Sequence, residues 1–269
     1  MLKLNGAPVK FGKYPNGESY LSLEELNNHI IEKTLANIQN VITLIYENNE
    51  DLIHLYFLVD TLGSMGLHNN HLYVTYLPYS RMDRVNSVYS VTLQAIIKFI
   101  DSMGFFKVTI REPHSDESMK MVNSVKDSWC ADHILNVMKR FHYDSVFFPD
   151  WGATLRWKDC DLVKKLEDSG YTYAWGGKKR DFLSGKLIEG CEIKRGDIGV
   201  RVLIIDDICS RGGTFINVAK AIGKKKEDIG LLVSYCEPNV FTGQLFDYVG
   251  MLYIPNDCIL ESHPQITRI

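Results

Sequence analysis

Short apolar runs rich in β-branched and aromatic residues recur along the chain. Between them lie longer stretches with an apolar residue every three or four positions. The first pattern predicts strands and the second amphipathic helices. Strands are expected at "NVITLIY" from Asn40, "LYVTYLPY" from Leu72, "KVTIRE" from Lys107, "SVFF" from Ser145, "YTYAW" from Tyr171, "VLII" from Val202, "LLVSYC" from Leu231 and "MLYI" from Met251. Helices are expected at "DLIHLYFLVDTLGSM", "YSVTLQAIIKFIDSM", "HILNVMKRF", "DLVKKLEDSG" and "FINVAKAIGKK". A further one, "SLEELNNHIIEKTLANI", opens with Ser22 and Glu25 at the spacing of a capping box. Strand–helix alternation of this kind predicts parallel sheets covered on both faces. The strands are too many for one small sheet, so the chain divides into two α/β domains, 1–124 and 125–269. Ligands of such sheets bind beyond the carboxyl ends of the strands, and the polar residues there are the functional candidates.

Composition narrows the partners. With 269 residues there is material for two buried cores, and 45% apolar against 23% charged residues is a globular balance. A net charge of −3 lacks the basic field of a general nucleic-acid binder, so no nucleic-acid partner is expected. Six cysteines without a CxxC pair argue against a zinc site and fit reduced thiols in the cytoplasm. The start "MLKLNGAPVKFG" has no apolar signal core, and no run approaches membrane-spanning length, so no membrane partner is expected.

The densest chemistry lies in "RVLIIDDICSRGGTF", Arg201 to Phe215. Four apolar residues lead into two adjacent acids, Asp206 and Asp207, at an expected strand end. A capping role would need one acid and no glycine pair. Gly212 and Gly213 let the backbone come close to a ligand, and the amides of the following helix start form an anion site. Carboxylates are poor company for a phosphate but good acceptors for vicinal sugar hydroxyls. Together these parts suit a ribose 5-phosphate moiety, with Ser210, Arg211, Gly212, Gly213 and Thr214 around the phosphate.

This stretch resembles the phosphoribosyl-diphosphate (PRPP) motif of the type I phosphoribosyltransferase superfamily, and five further segments resemble those of ribose-phosphate diphosphokinases (PRPP synthetases). "KYPNGESY" matches the segment that contacts adenine, usually across a subunit interface, which implies Tyr14, Asn16 and Glu18 in that role. "LPYSRMDRVN" matches the ATP-phosphate segment, implying Arg81, Asp83 and Arg84, with Met82 in place of the usual glutamine. "IREPHSDES" implies Glu112 and His114 near magnesium and ATP. "FFPDWGATLRW" implies Asp150 at magnesium and the ribose, Gly152 allowing close approach and Arg156 in support. In "GGKKRD", Lys178 and Arg180 match the catalytic cations of a mobile loop. Ser210 and Arg211 depart from the family's Asp and Thr, and Cys236 stands near the place of a family histidine.

The resemblance implies two tandem doubly wound parallel-sheet domains, the first facing ATP and the second holding ribose 5-phosphate. It also implies Mg²⁺ as cofactor, metal contacts from Glu112, His114 and Asp150, and a homo-oligomer, dimer or hexamer. The reaction would move diphosphate from ATP to the C1 hydroxyl of ribose 5-phosphate, giving PRPP and AMP. Two other readings share the PRPP motif: a phosphoribosyltransferase that consumes PRPP with a nucleobase, and a non-catalytic regulatory homologue.

Overall fold

The computed structural model describes residues 1–22, 26, 39–83, 91–129, 131–157, 161–180 and 187–269. The helix expected from Ser22 therefore lies almost wholly outside the described residues, as does Arg84. The chain forms two compact units, Met1–Asp127 and Ser128–Ile269.

The first unit contains β1 (Leu2–Leu4), β2 (Ala7–Val9), β3 (Phe11–Lys13), β4 (Ser19–Leu21), β5 (Asn40–Leu44), α1 (Glu50–Ser64), β6 (Asn70–Val74), α2 (Thr92–Asp101), β7 (Lys107–Arg111) and β8 (Ser124–Asp127). Its main sheet runs β2-β1-β5-β6-β7-β8, parallel from β5 to β8. β1 and β2 add antiparallel strands at one edge, and β3–β4 is a separate hairpin. Residue 124, the expected boundary, opens β8, which pairs with β7 and so stays in this unit.

Residues of alternate positions, Ile42, Leu44, Leu72, Val74, Val108 and Ile110, pack with Leu52, Leu55, Leu58 and Leu62 of α1 and Leu93, Ile97 and Ile100 of α2. Three successive crossovers step the same way along the sheet, so their shared handedness puts α1 and α2 on one face. β5 and β6 accordingly alternate buried with half-buried residues, where continuous burial would mark a sheet covered equally on both faces.

The second unit contains α3 (Ala131–Phe141), β9 (Ser145–Phe148), α4 (Trp151–Arg156), α5 (Leu162–Asp168), β10 (Thr172–Arg180), β11 (Leu187–Gly196), β12 (Val202–Cys209), α6 (Gly213–Ile222), β13 (Ile229–Cys236), β14 (Met251–Ile254) and β15 (Ile266–Arg268). The sheet order is β11-β10-β9-β12-β13-β14-β15, parallel throughout except for β10–β11. Here β9 and β13 are buried along their whole length, as strands between two helical layers should be. Both sheets are thus mixed: the expected parallel centres are present, with antiparallel strands added at the edges. Among the described residues no helix is long and apolar enough to cross a membrane.

Candidate functional site

The two acids lie inside β12, not at its last residue, since pairing with β13 continues through Cys209↔Cys236. Asp206 is half-buried and Asp207 is buried. A shared cation explains how like charges tolerate this place. Nη1 of Arg156, from the last turn of α4, lies 2.9 Å from Asp206 Oδ1 and also pairs with Asp207 Oδ1. The Asp207 amide donates to Asp206 Oδ1 at 3.0 Å, and Ser234 Oγ donates to the Asp207 carbonyl at 2.7 Å. Burial and the neighbouring Asp207 charge push the Asp206 carboxyl well above the usual range, and the Arg156 guanidinium opposes that rise.

The other end of α4 carries Asp150. Its Oδ1 accepts from the Ala153 amide at 2.9 Å, so this acid is the N-cap of the helix that presents Arg156. Register places β9 beside β12, with Ile204 opposite Phe147, so Asp150 follows the neighbouring strand end. Its charge is felt at Arg156 together with those of Asp207 and Asp206. Next to Asp150, Trp151 is 54% exposed, its ring 5.3 Å from that of Trp175.

Beyond β12 the chain turns through Ser210–Gly212 into α6. Gly212 has φ 83°, and a Cβ there would come within 2.9 Å of Leu245. The first helical bond runs from the Ile216 amide to the Gly212 carbonyl, so the amides of Gly213, Thr214 and Phe215 are those a helix start leaves for an anion. Gly213, Thr214 and Arg211 are exposed around them. The Ser210 hydroxyl, expected to face the phosphate, exchanges contacts of 3.0 and 3.3 Å with the Asn239 side chain. Asn239 Nδ2 also reaches Glu237 Oε2 at 3.2 Å, and the Glu237 amide bonds to the Cys209 carbonyl at 2.8 Å. Cys236, near the place of the family histidine, is buried, and its thiol is pushed up by contact with Cys209 and by burial.

Lys178 and Arg180 fall in β10, opposite Cys191 and Leu187 of β11. The expectation of a loop is therefore corrected: their backbone is part of a two-stranded ribbon with register shifts at Trp175/Gly176 and Lys178/Arg180. The two antiparallel strands satisfy each other's backbone groups, which a loop would leave to solvent.

In the first unit, the adenine candidates ride the β3–β4 hairpin. Tyr14 is 55% exposed and its ring lies 4.7 Å from that of Tyr20. Asn16 Oδ1 accepts from the Glu18 amide at 3.1 Å, shaping the turn, while Glu18 itself is exposed. Lys13 Nζ holds Glu50 of α1 at 2.8 Å and ties the hairpin down. After β6, Tyr79 adopts φ 63° and donates to Asn49 Oδ1 at 2.7 Å. Arg81 and Met82 follow on the surface, with Asp83 half-buried. Burial, then the neighbouring Tyr79 and Tyr76, push the Tyr46 hydroxyl at this turn up to about 12. Glu112 follows β7, buried at φ 39°, its amide bonded to the Asp127 carbonyl, and His114 is half-buried two residues on. Among the described residues no three His, Cys, Asp or Glu side chains cluster as a ready-made metal site.

Comparison with known proteins matches residues 1–104 to the N-terminal domain of ribose phosphate pyrophosphokinase. The ribose-phosphate pyrophosphokinase of Sulfolobus acidocaldarius is 26% identical over 223 residues, covering 79% of this chain and 72% of that protein. The enzymes of that name from Sulfurisphaera tokodaii and Pyrococcus abyssi are 28% and 27% identical, over 79% and 81% of this chain and 70% and 73% of theirs. A crystal structure of phosphoribosylpyrophosphate synthetase from Mycobacterium smegmatis shares the fold, with a TM-score of 0.71 at 16% identity, covering 97% of this chain and 85% of that one.

Sequence reasoning left out Asn239 and Glu237, which adjoin the turn between β12 and α6. No motif marks them; only their position just past a strand end, after "LLVSYC", could have drawn attention.

Proposed function

We propose that the protein transfers the diphosphoryl group of ATP to the C1 hydroxyl of ribose 5-phosphate, producing PRPP and AMP. The observation that carries this is the Asp206–Asp207 pair, bridged by Arg156 and placed a short turn before the amides that open α6. Carboxylates accept from the 2- and 3-hydroxyls of the sugar while backbone amides take its 5-phosphate. The match of residues 1–104 to the N-terminal domain of ribose phosphate pyrophosphokinase supports the synthetase over a phosphoribosyltransferase, which has no use for an ATP-side domain.

In this reading Tyr14, Asn16 and Glu18 read the adenine, and Arg81, Asp83, Arg84 and His114 hold the ATP phosphates. Ser210, Arg211, Gly212, Gly213 and Thr214 surround the sugar phosphate. Phosphoryl transfer needs alignment and charge stabilisation more than covalent help, and Lys178 and Arg180 supply cations for the charge that develops. Mg²⁺ would take carboxylate oxygens, those of Asp150 in the second unit and, separately, of Glu112 with His114 in the first, and when bound would offset phosphate charge and orient the phosphates. The exposed hairpin bearing Tyr14 suits an adenine site completed by a second copy, hence a homo-oligomer, dimer or hexamer, working in the cytoplasm. Incubating the pure protein with ATP, Mg²⁺ and ribose 5-phosphate should yield AMP and PRPP in equal amounts. Absence of AMP at every Mg²⁺ concentration would overturn the assignment.

A further inference from the structure

Resting on that reading of the sugar site, we infer that Arg156 is a positioning residue for the sugar: by sharing one guanidinium nitrogen between Asp206 and Asp207, it favours their charged forms and holds them side by side as hydroxyl acceptors. The side chains of Arg156 and Asp206 are each 15% exposed and that of Asp207 is 6% exposed, so water screens this trio poorly. Three acids, Asp150, Asp206 and Asp207, act on one guanidinium. Two adjacent buried carboxylates without a cation cannot both stay ionised; one takes a proton and turns from acceptor to donor. The sugar diol then loses an acceptor on one side. Because α4 is capped by Asp150 and ends in Arg156, the same six-residue helix also fixes the distance between the Asp150 corner and the acid pair.

An anchoring role for α4 alone would leave the charge of Arg156 irrelevant, and this separates the two possibilities. Steady-state AMP formation is measured for the full-length protein with ribose 5-phosphate and ATP varied in turn. Arg156→Gln should raise the KM for ribose 5-phosphate by about tenfold or more while the KM for ATP stays within about twofold, since only the sugar meets the acid pair. Arg156→Lys, which keeps the charge, should recover part of that loss. Adding Asp207→Asn to Arg156→Gln should improve sugar binding over the single variant, because the like-charge conflict is gone.

A folded Arg156→Gln protein with an unchanged sugar KM, or one whose two KM values rise together, overturns the inference. So does a double variant weaker than Arg156→Gln. If Arg156→Gln unfolds and Asp207→Asn restores the fold, charge is the defect and the inference stands; if the fold is not restored, the position is structural and it falls. A wild-type protein that forms no AMP overturns the proposed reaction instead. Calorimetric binding of ribose 5-phosphate to wild type and the same variants then decides the role of Arg156, with the same order of affinities expected.

Discussion

At the scale of single residues, the acid pair sets the pH response. The Asp206 carboxyl is raised by burial and by Asp207. The proposed sugar site needs its ionised form, so kcat/KM for ribose 5-phosphate should fall on the acid side with an inflection above the ordinary carboxylate range. Asp207→Asn removes the neighbouring negative charge and should move that inflection to lower pH; initial rates against pH read the shift. The sign for folding is opposite in sense. A raised native pKa means the ionised group opposes folding, and that cost disappears as pH falls through the raised value, so Asp206 does not drive acid unfolding. Tyr14 gives a cleaner case. It is 55% exposed, so Tyr14→Ala should leave the melting temperature almost unchanged while raising the KM for ATP by about tenfold, the loss of one stacked ring being on the order of 1 kcal/mol.

At the scale of elements, the turn into α6 depends on backbone more than on side chains. Gly212 combines φ 83° with a Cβ position 2.9 Å from Leu245. Gly212→Val should therefore cost roughly 2–4 kcal/mol of stability, seen as a lower denaturant midpoint, and should abolish ribose 5-phosphate binding. This turn was legible in the sequence because a glycine pair after an apolar run has few other uses. The central strands and most helices were legible for the same reason: "LLVSYC" and "SVFF" are apolar throughout, and their burial requires it. The antiparallel edges were not. β1, β2, β3 and β4 are three residues each, too short to show a period of two. The β10–β11 ribbon hid because "GGKKRD" reads as loop chemistry, while its pairing partner lies in another segment. Arg156 was visible as a residue matching the family, yet its bond to both acids depends on register between β9 and β12 that periodicity does not encode. Asn239 reaches Ser210, and Glu237 reaches Asn239 and the Cys209 carbonyl, only after β13 is laid beside β12.

For the whole molecule, each unit has its own apolar core, one on α1 and α2 and the other joining Ile134, Val137, Phe148, Leu203 and Ile205. In the proposed reaction Lys178 and Arg180 of the second unit would supply charge at the transition state. Lys178→Ala should lower kcat roughly a hundredfold with little change in either KM, by analogy with loss of one transition-state donor. Chelating Mg²⁺ should stop AMP formation, and restoring the ion should recover it fully, as followed by chromatography of the nucleotides.

Trp151 sits one residue from Asp150, largely open to water, with the Trp175 indole 5.3 Å away and Tyr173 stacked beyond it at 6.2 Å. A fluorophore thus adjoins Asp150 of the proposed pentose site. Filling that site should change the polarity around the exposed indole, so emission intensity or colour will report occupancy without any dye. Trp151→Phe should silence the signal while leaving turnover intact, and a titration with the pentose ester would then give affinities directly from the protein's own light.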